Sequence, residues 1–466
     1  MKKGILSFLL AILVTGSLSA CAQQVVKFAD SNLEAAIREA VQKPTGDIYA
    51  SDLSQLTELD AAYQGIKDLS GLEHCRSLER LNLSGNKISD ISGLAGMTQL
   101  ERLWLLDNKI SDISALAGMT QLTDLDLPHN QISDISPLAG LTQLEWLNLF
   151  DNQISDISAL AGMKHLTYLY LFNNQINDIS PLAGMTKLTV LDLSNNRISD
   201  ISALARMTQL ERLWLPENQI SDIHVLAGMT KLMVLDLSNN RISDISTLAK
   251  MAQLKQLKLS DCQIRGISTL ARMTQLTNLV LSSNQISDIS ALAGMVQLVA
   301  LDLSHNRLSD ISALARLTKL TVLDLSNNQI NDISALTGMT KLAHLYLSNN
   351  QISAISLLAY LKNLKILWLD GNRIEDITPI PSMNPANIAK QVWVPILGKW
   401  VDASCKYPHL NLANNAITDI SPLASGSKLV AGEIVNLEGN SLDLAPGSPV
   451  IKKIEAMEVQ GIKICY

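Results

Sequence analysis

The sequence is poor in aromatic and charged residues. Aromatics make up 4% of its 466 positions and charged residues 17%, against roughly 25% charged in an ordinary soluble chain. The net charge is −7, so nothing supplies the basic field that a nucleic-acid binder needs. Past residue 20 there is no uncharged apolar run of roughly 18 or more residues, which excludes a bundle of membrane-spanning helices. The cysteines lie far apart, and the histidines (His74, His129, His165, His224, His305, His344 and His409) lack metal-ligand spacing. Nucleophile-elbow, phosphate-loop and zinc-protease motifs are missing. Ser425-Gly426-Ser427-Lys428 matches S-x-x-K but lacks the companion motifs. The expectation is a chain that is not an enzyme, with no catalytic residue, metal or cofactor. Disorder is excluded as well, because 47% of the chain is hydrophobic. With so few rings, that apolar content must pack as many small layers of Leu and Ile.

The N-terminus reads as an address. Lys2 and Lys3 precede an apolar run from Ile5 to Val14, and small residues follow at Gly16, Ser17, Ser19 and Ala20. This is a secretory signal, too short to span a bilayer comfortably. Leu18-Ser19-Ala20-Cys21 resembles the lipobox of bacterial lipoproteins, which implies acylation of Cys21 as the mature N-terminus. Each buried acyl methylene adds ~0.8 kcal/mol, so two or three chains anchor firmly. Ala22, rather than Asp, after the Cys implies an outer-membrane destination. The acidic body does not favour an anionic membrane, so the anchor must provide attachment.

The body is one repeat. Asn recurs every 22 residues from Asn86 to Asn240 and from Asn284 to Asn372, with Cys262 the one substitution. Relative to these 14 positions Leu always occupies −8, −5 and −3, and Ile always occupies +5. Asp occupies +4 in 12 of the 14, failing only at Gly266 and Ala354. Chance cannot hold such a phase. The segment around Leu81 and Leu83 alternates inward and outward, as a strand does, and successive strands should stack in parallel. The Asn side chain should pair with backbone groups of neighbouring turns that would otherwise be buried and unpaired. The +4 Asp should cap a short return segment, which has room only for a 3₁₀ turn or one α turn. Met at +11, as in Met97 and Met119, fills the core behind it. The fold class expected is an α/β solenoid: a leucine-rich repeat horseshoe with a parallel concave sheet and capped ends.

The caps are legible too. Ser31-Asn32-Leu33-Glu34 reads as a capping box, followed by Leu33, Ile37 and Val41 on one helical face. Leu59, Ile66, Asp68, Leu69 and Leu72 form a degenerate first repeat. Ser448-Pro449 starts a helix that Gly461 ends, and Ile462 to Tyr466 should be a final strand. Between Asn372 and Asn415 the phase breaks, with Pro379, Pro381, Pro385, Pro395 and Pro408 crowding Trp393 and Trp400. The organisation is therefore a signal at 1–20, anchor and N-terminal cap at 21–58, and repeats at 59–383. A degenerate repeat or loop follows at 384–407, with the repeat favoured, then terminal repeats at 408–444 and a C-terminal cap at 445–466. Cys405 and Cys465 share the C-terminal end, where an exported chain permits a disulfide, and Cys75 suits a core thiol of the first turn.

The 22-residue repeat with Ile-Ser-Asp-Ile-Ser, together with its helical cap, resembles the internalin group of bacterial surface proteins over about residues 28–440. The resemblance implies a binding protein that engages a protein partner on its concave sheet. It departs from the group at the C-terminus, which shows no cell-wall sorting signal, and Cys21 takes the place of that anchor. The repeat is also similar to leucine-rich subunits that regulate protein phosphatases, against which the signal peptide argues.

Outward strand positions follow from the phase: −6, −4, −2 and −1. Most hold bland residues such as Ser194, Ser238 and Asn195. Trp104, Trp146, Phe150, Tyr168, Tyr170, Phe172, Trp214, Tyr346 and Trp368 stand out there, half of the chain's aromatics. Trp146, Phe150, Tyr168, Tyr170 and Phe172 fall on two adjacent strands, the clustering expected of a binding hot spot rather than of plain cross-strand packing. A smaller patch joins His344, Tyr346, Ile366 and Trp368. Acids line the same face, among them Asp124, Asp126, Asp151, Asp192, Glu217, Asp236, Asp302 and Asp324, with Arg80, Arg102 and Arg212 mixing the sign. The candidate ligand-binding residues are these nine aromatics with Asp126, Asp302 and Asp324. The expected function is a lipid-anchored, exported adhesin or surface receptor, monomeric and binding a protein. An envelope scaffold or a non-catalytic regulatory subunit is the alternative.

Overall fold

The computed structural model describes residues 24–380, 391–394, 399–406, 408–424 and 429–466. The signal segment, Cys21 and Ser425 to Lys428 lie outside them, as do the side chains of Trp393 and Trp400. The chain forms two compact units, Met1–Ile220 and Ser221–Tyr466. Among the described residues no helix is long and apolar enough to cross a membrane.

The first unit opens with its cap. Val25–Val26 pairs antiparallel with Ile48–Tyr49, and helix Ser31–Ala40 lies between them in sequence. The helix is capped one residue earlier than Ser31: the Asp30 carboxylate accepts from the N–H groups of Asn32 (2.8 Å) and Leu33 (3.3 Å). Leu33 and Ile37 are fully buried and Val41 only partly. A run of parallel strands follows, from Glu58–Asp60 to Arg212–Trp214, each three residues long and each one repeat from the next. The central Leu of each strand, such as Leu147 or Leu169, is fully buried while its neighbours face outward.

The second unit repeats this build from Val234–Asp236 to Ile366–Trp368, and then steps through Leu410–Asn411 and Ile434–Asn436 to Lys463–Cys465. Helix Pro449–Val459 precedes that last strand. Ser448 caps it, its hydroxyl accepting from the Ile451 N–H at 3.2 Å. Strand Ile366–Trp368 pairs directly with Leu410–Asn411, so no rung of the sheet lies between them. Among the described residues of 384–407 stands an antiparallel hairpin, Gln391–Val394 with Lys399–Asp402. Cys405 is joined to Cys465 by a disulfide, and Cys75 and Cys262 are free and buried.

Each rung is held by its Asn. Asn108 accepts from the Ile88 N–H (3.0 Å) and donates to the carbonyls of Leu83 (3.0 Å) and Leu105 (3.2 Å), joining two repeats through groups that water cannot reach. The +4 Asp works as expected, Asp90 accepting from the Ser92 N–H at 2.8 Å where the 3₁₀ turn Ser92–Leu94 begins. This contact recurs at Asp112, Asp134 and Asp178, holding each of these carboxyls below the usual range. At Cys262 the thiol lies 3.6 Å from the Leu237 and Ser260 carbonyls, and burial pushes it up to about 11.

Just before each ladder Asn the backbone turns left-handed. Asp107, His129, Asp151, Asn173, Asn195 and Glu217 all have φ between 48 and 55°. Asn, Asp and His tolerate that region best among residues with a Cβ, and Gly85 fills the same place at the first rung. The composition of the −1 column is thus set largely by the backbone.

Candidate binding surface

Two outward columns define the face of the first unit. One runs Arg80, Arg102, Asp124, Trp146, Tyr168, Val190, Arg212. The other runs Asn82, Trp104, Asp126, Asn148, Tyr170, Asp192, Trp214. Adjacent members sit on neighbouring strands, the spacing at which large side chains touch. The Trp146 ring lies 4.9 Å from Tyr168 and 5.3 Å from Tyr170, both tilted. One step toward the turn, Phe150 stacks on Phe172 with centroids 4.2 Å apart, and His129 meets Phe150 edge-on at 4.7 Å. Tyr168 is exposed, and Trp104, Trp146, Phe150, Tyr170, Phe172 and Trp214 are half-buried. The structure therefore brings five of the nine candidate aromatics together and places Trp104 and Trp214 on the same face.

This face carries partly desolvated charge. Burial raises the Asp124 carboxyl, opposed by the Arg102 charge and a hydrogen bond with Trp104. Burial also pushes Asp126 up to about 6, against a hydrogen bond from Asn148 and with added repulsion from Asp124. Tyr170 is raised by burial and by the charge on Asp192. Along the edge runs a polar ladder that the sequence reading missed, from His129 through Asp151 and Asn173 to Asn195.

In the second unit four candidates require correction, Tyr346, Trp368, Asp302 and Asp324. Tyr346 is fully buried, not displayed. Its ring meets Trp368 edge-on at 5.1 Å in a cluster with Ile366 and Val322, and Ala403 of the inserted segment packs over that cluster. The Trp368 indole N–H donates to the Pro408 carbonyl at 2.8 Å, so this half-buried ring is engaged by the same segment. His344 and Ile366 are buried with them, and burial lowers the imidazole to about 4. The second patch is thus a small core beneath Ala403 and Pro408, whose packing there no repeat phase could reveal. Asp324 is also buried, and directly opposes half-buried Asp302. The Ser304 hydroxyl donates to Asp302 at 2.7 Å and the Ser326 N–H donates to Asp324 at 2.9 Å. Burial raises both carboxyls, Asp324 to about 8. They form an internal acid pair with little left to offer a ligand. Among the described residues no group of three His, Cys, Asp or Glu is placed to hold a metal ion.

The family model for leucine-rich repeats (two copies) matches residues 54–96, 98–140, 142–184, 164–206, 186–228, 208–250, 252–294, 296–338 and 340–382. An internalin, InlF, from Listeria monocytogenes is similar at 40% identity with a TM-score of 0.67, over 69% of this chain and 96% of that one. The chain belongs to the internalin-like leucine-rich repeat proteins. The functional domain of InlJ from the same organism matches at 24% identity and TM-score 0.68, over 85% of this chain and 83% of that one, and shares the fold. So does a leucine-rich repeat protein of Leptospira interrogans, at 23% identity and TM-score 0.62, over 72% and 93%. No protein of curated function matches the sequence. In this internalin-like chain the fold class read from the sequence holds in both units, and it is one suited to protein–protein interaction.

Proposed function

We propose that this internalin-like protein binds another protein through the outward face of its first unit, as an exported, lipid-anchored adhesin or surface receptor. The carrying observation is the contact cluster of Trp146 with Tyr168 and Tyr170, continued by stacked Phe150 and Phe172. Rings held on a repeat lattice lose little freedom on binding, so their burial by a partner converts efficiently into affinity. Half-buried acids beside the rings give such a face orientation and partner choice. Candidate contacts are Trp104, Trp146, Phe150, Tyr168, Tyr170, Phe172, Trp214 and Asp126.

Export and anchoring rest on Lys2, Lys3, the apolar run from Ile5 and the lipobox ending at Cys21. The Cys405–Cys465 disulfide supports an oxidising compartment, and the similarity to InlF supports an envelope location. Lipidation at Cys21 makes processing sensitive to globomycin, and a surface location makes the protein accessible to protease on intact cells. Normal processing under globomycin contradicts the anchor, and full protection contradicts surface display. For binding, affinity capture compares wild type with Trp146→Ala/Tyr170→Ala. The expected result is loss of one specific partner, and an unchanged partner set removes the aromatic face from the proposal.

A further inference from the structure

We infer that the part of this face around Asp124 and Asp126 receives a basic side chain, Arg or Lys, presented by the protein partner. The inference rests on the proposed binding role of the aromatic face and names the chemistry of what enters it.

Asp124 and Asp126 are two residues apart on one strand and so point to the same side. In register, Asp126 stands beside Trp104 of the preceding strand and Asp124 beside Trp146 of the next. Two carboxylates are thus flanked on opposite sides by indoles. Among the described residues neither carboxylate is in an ion pair, although Arg102 stands beside Asp124 in register and lowers it through space. Arg80, in the same column, is paired instead with Glu58 at 3.6 Å. One oxygen of Asp124, Oδ1, is buried and has no hydrogen-bond partner, an acceptor that folding alone leaves unused.

These features call for one kind of group. A neutral polar side chain would not relieve the repulsion between the two carboxylates. An acidic one would add to it. A guanidinium can lie flat on an indole while its N–H groups reach a carboxylate, and an ammonium can do both less well. Bringing a cation there removes the electrostatic cost of two desolvated acids side by side, which is why the face discriminates among partners rather than only adhering to them.

The test uses the full chain in detergent and capped pentapeptides Gly-X-Gly-X-Gly with X as Arg, Lys, Gln or Glu, measured by calorimetry. The Arg peptide is expected to bind best, and Asp124→Asn/Asp126→Asn to weaken it by about ten-fold or more. Asp288→Asn/Asp310→Asn removes the same charge from exposed return turns and is expected to change it by less than about two-fold. Equal losses in the two double variants reduce the effect to overall charge and overturn the inference, as does a Gln peptide that binds as tightly as the Arg peptide. If the captured partner still depends on Trp146 and Tyr170 in that case, the aromatic face stands and only the cation falls. If the partner is indifferent to those rings as well, both readings fall.

Discussion

Asp302 and Asp324 stand directly opposite each other on neighbouring parallel strands, with Tyr346 the next member of their column. Burial first, and then the charge of Asp302, pushes Asp324 up to about 8, so the native pair keeps a proton at neutral pH. An unfolded Asp releases that proton near pH 4. The native state therefore binds more protons than the unfolded chain between those values. The contribution to stability is complete at the acid end and is lost as pH rises toward 8, with a slope of up to about 1.4 kcal/mol per pH unit. Asp324→Asn removes the titration. Urea unfolding from pH 5 to 9 should show the wild type losing stability relative to the variant as pH rises. Parallel curves contradict a retained proton.

The Asn ladder gives a second expectation with opposite signs at two rungs. Asn196 accepts from the Ile176 N–H (3.0 Å) and donates to the Leu171 (3.0 Å) and Leu193 (3.1 Å) carbonyls. Asn196→Ala leaves these buried groups unpaired and is expected to cost about 1–3 kcal/mol. At the one rung built on a thiol, Cys262→Asn supplies a strong donor and acceptor where the sulfur makes only long contacts, and should add about 1 kcal/mol. Thermal unfolding of both variants checks the pair. A destabilised Cys262→Asn would mean that the rung has adapted its backbone to sulfur.

The Cys405–Cys465 bridge closes a loop between residues 60 positions apart. Constraining such a loop in the unfolded chain is worth ~4 kcal/mol on the entropic account. In a repeat protein that stabilisation stays local. Reduction should therefore raise hydrogen exchange in strand Lys463–Cys465 and around Tyr346, where the tied segment packs, and leave strand Trp146–Asn148 unchanged. Uniform acceleration through the chain would contradict local action.

Much of this was legible because the repeat is so regular. The inward Leu and Ile columns, the Asn ladder, the Asp-capped return turns and the adjacency of Trp146 to Tyr168 and Tyr170 follow from period and phase alone. What the phase cannot convey is anything that lies over the sheet. Tyr346 has the same register position as Tyr170, yet one is buried and the other is partly open, because a segment outside the repeat covers only the first. Asp324 shows the same limit: an outward position, but one beside the covered Tyr346 in register, and it is buried. The acids at −1, such as Asp151 and Glu217, read as ligand chemistry in the sequence but answer first to a left-handed backbone. The Asp30 cap was misplaced by one residue because Ser31 is an equally good capping type.

The most direct measurement is photo-crosslinking on intact cells, with a benzophenone side chain replacing Tyr168 in the exposed part of the ring cluster. A second copy carries the same group in place of Gln99, on an exposed turn outside the face. A discrete crosslinked protein from position 168, absent from position 99 and lost in Trp146→Ala, is the expected result. The same products from both positions, or none from position 168 while the partner is still captured, would contradict a binding role for this face.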